Sequence, residues 1–101
     1  MPPAALDDYD ILCHSRVMSH VTLQADAREQ FDRLPTRIKS RVQGILIRLE
    51  QWPAVSGAKP LRGNLAGHYR IRTGDYRVQF FVEGAEVVVE RIGHRDGFYE
   101  D

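Results

Sequence analysis

Three features are scarce or missing in this 101-residue sequence: cysteine, net charge and long apolar segments. The single cysteine, Cys13, excludes an internal disulfide, and no set of Cys and His residues has the spacing of a structural zinc site. The longest apolar runs are only a few residues, as at 87–89, and the start has neither a basic nor an apolar segment, so no membrane span or signal peptide is expected. The composition therefore predicts one soluble, cytoplasmic domain without a metal or cofactor, stabilised by packing around a single core.

The charged side chains are balanced in number but not in position. The 14 basic and 14 acidic residues sum to zero, which removes the simplest indication of nucleic-acid binding, a strongly basic domain. However, residues 1–30 contain two basic and five acidic side chains, whereas residues 31–77 contain ten basic and three acidic ones. The neutral total therefore combines an acidic start with a basic middle.

The apolar pattern predicts one α+β domain over residues 18–101, after a poorly ordered extension over residues 1–17. The predicted elements are a strand over 20–23, a helix from about 26 to 34, a helix from about 36 to 52, and strands over 68–73, 76–82 and 86–92. Asp26 and Glu29 have the spacing of a capping box at the start of the first helix. Short turns favour antiparallel neighbours, so the order β-α-α-β-β-β predicts a small twisted antiparallel sheet with two helices packed on one face.

The turn at residues 74–75 predicts the register of the hairpin around it. If these two residues form the loop, Arg72 lies directly across from Arg77, and Arg70 lies across from Gln79. Because side chains alternate along a strand, these four share one face. The opposite set, which should point toward the helices, is Tyr69, Ile71, Tyr76, Val78 and Phe80.

Three arginines on one open sheet face indicate an anionic partner. Like charges directly across a strand pair, as predicted for Arg72 and Arg77, are destabilising when left alone, and the planar guanidinium suits phosphate. The alternative is that the arginines are ordinary solvated residues, each held by an acid such as Asp75, Glu83 or Glu90.

Four segments, in this order, resemble the RelE/ParE superfamily of bacterial toxins, and its RelE-like branch in particular. They are KPLRG at 59–63, HYRIR at 68–72, GDYRV at 74–78, and GHR at 93–95 followed by Tyr99. The resemblance covers about residues 20–99 and implies a RelE-like fold. It also implies a toxin of a type II toxin–antitoxin system that cleaves mRNA in the ribosomal A site without a metal and leaves a 2′,3′-cyclic phosphate. A cognate antitoxin protein is the implied partner, no membrane is involved, and a higher toxin–antitoxin assembly stays open.

The resemblance further implies roles for single residues. Arg77 matches a phosphate-binding arginine, and Arg95 matches an arginine that stabilises the transition state. Tyr99 matches a tyrosine that acts as the general base or orients it. The other candidates for binding RNA phosphates are Arg70, Arg72, Lys59 and Arg62.

The chemistry of these residue types agrees with the implied roles. Fixed guanidiniums stabilise a charged phosphate transition state without a metal, and Arg77 and Arg95 would lower the pKa of a nearby Tyr99 phenol. For Tyr99, so close to the end of the chain, simple fraying is the alternative. His68 and His94 are secondary candidates because imidazole titrates near neutral pH, although a role in packing or positioning the following loop is favoured for His94.

Two other functions remain compatible with this sequence. One is a ParE-like toxin that binds DNA gyrase and has no nuclease activity. The other is a non-toxic homologue that binds only its antitoxin. The combination of Arg77, Arg95 and Tyr99 favours the nuclease.

Overall fold

The computed structural model describes residues 19–97, so the predicted extension over 1–17 and the candidate residue Tyr99 lie outside the described part. The strands are β1 (His20–Leu23), β2 (Lys59–Pro60), β3 (His68–Thr73), β4 (Tyr76–Glu83) and β5 (Glu86–His94). The helices are α1 (Ala25–Asp32) and α2 (Thr36–Leu49), with single 3-10 turns at Gly63–Leu65 and Arg95–Gly97. Within residues 19–97, no helix is long and apolar enough to cross a membrane.

Helix α2 buries one stripe of its surface, formed by Val42, Ile45 and Leu49 at helical spacing. Pro35 occupies its N-cap position and separates it from α1, in agreement with the two separate helices that were predicted. The helix ends at Leu49, three residues before the predicted end at Trp52, and continues as turns in which each N–H donates to the carbonyl three residues earlier. Pro53 explains this early end, because the residue before a proline is disfavoured in the helical conformation.

Helix α1 begins differently from the prediction. Its N-cap residue is Gln24, and no side chain caps it. Asp26 lies inside the first turn, where its carboxylate is favourably placed near the positive end of the helix dipole. The predicted capping box of Asp26 and Glu29 is therefore wrong.

The five strands form one mixed sheet in the order β1-β5-β4-β3-β2. The predicted α+β fold is confirmed, but the sheet is not entirely antiparallel, because β1 pairs with β5 in parallel. Turn signals specify only how consecutive strands pair. In contrast, β1 and its parallel neighbour β5 are separated along the chain by both helices and three other strands. The two-residue strand β2, which pairs with Tyr69 and Arg70 of β3, lies in a segment that was predicted to be a loop.

The predicted hairpin register is confirmed residue by residue, including Arg72 across from Arg77 and Arg70 across from Gln79. On the other side of β4, Gln79 pairs with Arg91 but Phe80 pairs with Val89, which leaves Glu90 as the extra residue of a β-bulge.

The helices cover one face of the sheet, and the core lies between the helices and that face. Its buried members are Ala27, Val42, Ile45, Leu49, Ile71, Val78, Phe80, Val87, Val89 and Ile92. Trp52 packs edge-on against Tyr69 and Phe80, with ring centroids 4.8 and 5.3 Å away. Beyond the end of β1, the N–H of Ile92 donates to Oε1 of Gln30 at 2.8 Å, so a side chain of α1 replaces the missing strand partner. No helix of residues 19–97 covers the opposite face of the sheet.

Candidate functional site

The face of the sheet opposite the helices carries two rows of cations. Arg72 and Arg77 are direct cross-strand partners in one row. In the other row, Lys59 pairs with Arg70, Arg70 with Gln79, and Gln79 with Arg91. The rows are two residues apart along the strands, or roughly 7 Å. We call the five cations Lys59, Arg70, Arg72, Arg77 and Arg91 the basic face.

Arg77 is the most unusual member of the basic face. The residue is half-buried, and its Nη1 atom is buried without a hydrogen-bond partner in the described part of the chain. A buried donor without a partner is costly, and more so when it carries a charge. Its cross-strand neighbour Arg72 is exposed and has the same charge. The pair therefore presents a partly desolvated positive charge that an anion would satisfy.

The acids of residues 19–97 do not neutralise this pair. Among residues 19–97, neither Arg72 nor Arg77 forms an ion pair with a carboxylate. Glu90 instead accepts hydrogen bonds from His68 and from Gln79. Within residues 19–97, the predicted alternative partners Asp75, Glu83 and Glu90 therefore do not hold these two arginines.

Two clefts open onto the basic face and share Lys59 and Arg70. The first has a volume of about 470 Å³ and is lined by Arg48, Gly57, Lys59, Ile71 and arginines 70, 72 and 77. The second, also about 470 Å³, is lined by Lys59, Pro60, Leu61, Arg62 and Arg70. Together the two clefts contain all five cations that were predicted to bind phosphate: Lys59, Arg62, Arg70, Arg72 and Arg77.

Arg48 is a residue of this site that the sequence did not indicate. It lies in the last turn of α2, where its Nη2–H donates to the carbonyl of Ser56 at 2.9 Å. This bond ties the guanidinium to the loop that leads into β2, and so to the wall of the first cleft. Helical spacing places Arg48 on the surface of α2, but only the packing of α2 against the sheet directs it to this edge.

Arg95 begins the 3-10 turn that follows β5. Its backbone N–H donates to the carbonyl of Asp75 at 2.7 Å, which holds it to the β3–β4 turn beside the Arg72–Arg77 row. Its exposed side chain lies 3.9 Å from Asp96, a contact that solvent weakens. More than half of the Arg95 side chain (59%) is exposed at this end of the sheet.

The two candidate histidines lie on different faces. His94 pairs with Tyr76, packs edge-on against that ring at 5.3 Å, and accepts the N–H of Asp96 at Nδ1. Since Tyr76 alternates with Arg77, His94 is turned away from the basic face and shapes the following turn. His68, in contrast, starts β3 on the same face as Arg70. Within residues 19–97, no group of three or more His, Cys, Asp or Glu could hold a metal ion.

Residues 19–97 match a family model described as the ParE toxin of type II toxin–antitoxin systems, parDE. No match is found among curated protein sequences. The toxin–antitoxin complex RelBE2 from Mycobacterium tuberculosis contains a chain that is 33% identical, with a TM-score of 0.69, and the match covers 78% of this chain and all (100%) of that one.

More distant structures share the fold. The isolated RelE toxin of Escherichia coli is 20% identical, with a TM-score of 0.65 and coverage of 75% of this chain and 83% of that chain. YafQ from E. coli strain BL21(DE3) is 12% identical, with a TM-score of 0.66 and coverage of 80% and 98%. The predicted RelE/ParE superfamily fold is confirmed. The chain belongs to the ParE toxin family of type II toxin–antitoxin systems.

Proposed function

We propose that this toxin is a metal-independent endoribonuclease that cleaves mRNA in the ribosomal A site and so inhibits translation. The observation that carries the proposal is the half-buried Arg77, whose buried Nη1 has no partner in the described chain and which lies across from the exposed Arg72. A phosphate would accept hydrogen bonds from both guanidiniums and relieve their repulsion.

The reaction that suits this arrangement is an internal transesterification. The ribose 2′-oxygen attacks the adjacent phosphorus as its proton passes to a base. The bond from phosphorus to the 5′-oxygen breaks, and that oxygen takes up a proton. The products are a 2′,3′-cyclic phosphate and a 5′-hydroxyl end. Negative charge grows on the phosphate oxygens in the transition state, where preorganised guanidiniums stabilise it most.

Individual residues have distinct roles in the proposal. Arg77 and Arg72 bind the non-bridging oxygens of the scissile phosphate. Arg95, held by its backbone to Asp75, donates a hydrogen bond to the leaving oxygen. Tyr99, which lies outside the described residues, takes the proton from the 2′-hydroxyl.

The two clefts provide a path for the RNA backbone on either side of this phosphate. Lys59 and Arg70 line both clefts, Arg48 lines the first and Arg62 the second. Contacts of this kind position the strand without reading its sequence, and they make binding weaken as salt rises.

A cognate antitoxin is part of the proposal, as in the RelBE2 complex, whose chain is 33% identical to this one. An acidic antitoxin segment on the basic face would neutralise Arg72 and Arg77 and block the phosphate site at the same time. We expect this complex to be salt-sensitive, and equal affinity at low and high salt would contradict charge neutralisation.

The test is brief expression in a bacterium, followed by mapping of mRNA 5′ ends and of DNA breaks. Wild-type toxin should produce codon-positioned mRNA cuts, and Arg77→Ala should abolish them. Arg33→Ala is the matched control, because this arginine is exposed and pairs only with Glu29 on α1 in the described chain. Growth arrest with intact messages would refute the nuclease.

The match to a ParE toxin model favours a second candidate, a toxin that binds DNA gyrase. Gyrase-dependent DNA breaks that persist in Arg77→Ala would support it. A protein that produces neither RNA cuts nor DNA breaks but binds its antitoxin would be a non-toxic homologue.

A further inference from the structure

A group of side chains beside the basic face has no role in the proposed cleavage. It consists of His68, Gln79, Phe81 and Glu90, which we call the His68 cluster. His68 pairs with Phe81 across the β3–β4 ladder, and Gln79 lies two residues before Phe81 on the same face. Glu90 joins them because the β-bulge places it next to Gln79. The cluster continues the open face beyond the Lys59–Arg70 row.

The carboxylate of Glu90 is the polar centre of the cluster. Its Oε2 accepts hydrogen bonds from Nδ1 of His68 and, at 2.9 Å, from Nε2 of Gln79. Its Oε1 accepts none from residues 19–97, and 18% of the side chain is exposed. The cluster thus offers a carboxylate oxygen, Oε1 of Glu90, as a hydrogen-bond acceptor to an incoming group.

The rings of the cluster form a small aromatic surface. The centroids of His68 and Phe81 are 5.3 Å apart, with planes inclined at 58°. The side chain of His68 remains 26% exposed. Aromatic side chains beside a basic groove are the usual platform for unpaired bases, which stack on them regardless of sequence.

We propose that the His68 cluster is a subsite for an unpaired nucleobase of the RNA whose scissile phosphate lies at Arg72 and Arg77. This inference rests on the proposed nuclease function. His68 is four residues from Arg72 along β3, or roughly 13 Å, and Arg70 lies between them on the same face. The intervening backbone phosphate would contact Arg70 while its base stacks on His68 and Phe81.

The acceptor Oε1 of Glu90 predicts which bases are preferred. Adenine, cytosine and guanine each carry an exocyclic amino group that can donate to it. Uracil has carbonyl oxygens as its exocyclic groups, which Oε1 would repel, and its one base donor, N3–H, lies between them. The subsite should therefore select amino-bearing bases over uracil.

The experiment is an NMR titration of the full chain with 2′-O-methyl oligonucleotides, which lack the attacking hydroxyl and stay intact. Oligo-A, oligo-C and oligo-U are compared with inorganic phosphate alone, while the aromatic signals of His68 and Phe81 and the side-chain signals of Arg77 are followed. We expect phosphate to move only the Arg77 signals. Oligo-A and oligo-C should move both sets and bind about tenfold more tightly than oligo-U, the effect of one hydrogen bond to a charged acceptor.

A conservative substitution separates recognition from folding. Glu90→Gln keeps the shape of the side chain but replaces one carboxylate oxygen by an amide nitrogen, which donates. The affinities for oligo-A and oligo-C should then be about equal to the affinity for oligo-U. Glu83→Gln, at the exposed end of β4, is the matched control and should leave the preference unchanged. A merely structural role of Glu90 would lower affinity for all three oligonucleotides equally, which would overturn the subsite.

The remaining outcomes distinguish the subsite from the nuclease. Oligonucleotides that move the Arg77 signals but not those of His68 and Phe81 would overturn the subsite and leave the nuclease standing. Absence of binding at both places would overturn both.

Discussion

Replacing Arg77 with methionine should make this toxin more stable and less active. In the free protein, Nη1 of Arg77 is buried without a partner in the described chain. A buried unsatisfied donor costs about 1–3 kcal/mol, and methionine has a similar length without polar atoms. The free energy of unfolding should therefore rise by about 1–3 kcal/mol in Arg77→Met. Each kcal/mol corresponds to roughly 4–8 °C in Tm for a domain of this size.

The matched control is Arg72→Met on the neighbouring strand. Both substitutions remove the like-charge pair, which is worth at most about 1 kcal/mol. Arg72 is exposed, so removing it relieves no burial penalty. The difference between the two variants therefore isolates the cost of burying Nη1 of Arg77.

Urea is the suitable denaturant, because it adds no ions to screen or occupy the site, and the buffer should contain no phosphate. Added phosphate should then raise the stability of wild-type protein, as a ligand of the native state does, but not that of Arg77→Met. Activity in Arg77→Met should fall at least about tenfold, because a hydrogen bond to a charged group is worth about 1.5–3 kcal/mol. An Arg77→Met protein that is no more stable than Arg72→Met would refute the reasoning.

Two further pairs of variants test the fold by urea denaturation. Gly44→Ala should stabilise the protein by about 0.5–1 kcal/mol, because an added Cβ in α2 meets nothing within 4 Å. Gly74→Ala should destabilise it by about 1 kcal/mol or more, because φ is +60° in the β3–β4 turn, and equal effects of both changes would contradict this explanation. Leu49→Ala should cost about 2–5 kcal/mol, since Leu49 is fully buried, whereas Ile47→Ala on the same helix should stay within about 0.5 kcal/mol, since Ile47 is 58% exposed. A comparable loss in both would show that α2 does not pack as described.

The β3–β4 hairpin was predictable because its information is local. Gly74 and Asp75 determine a two-residue turn, and alternation then pairs Arg72 with Arg77, as the structure confirms. The end of α2 and the start of α1 were less predictable, because caps and turns depend on backbone geometry that residue types indicate only weakly.

The neighbours of β1 and β2 depended on long-range contacts. Turn signals predicted an antiparallel sheet, but β1 lies at one edge of the sheet and pairs in parallel with β5, the last strand of the chain. Lys59 and Pro60 look like a loop, since proline is disfavoured inside sheets, yet they form an edge strand on β3. No local pattern contains the order in which distant strands meet.

The sequence by itself determined the α+β class and the common face of Arg70, Arg72 and Arg77, because each follows from the spacing of nearby residues. Only the tertiary structure decided that Arg48 lines the cleft beside this face and that Glu90 binds His68, 22 residues away along the chain. It also decided that Nη1 of Arg77 is buried without a partner among residues 19–97, which turns a row of surface charges into a candidate phosphate site. Burial and long-range pairing arise from how helices and strands pack together, and the spacing of residues within one element carries no information about that.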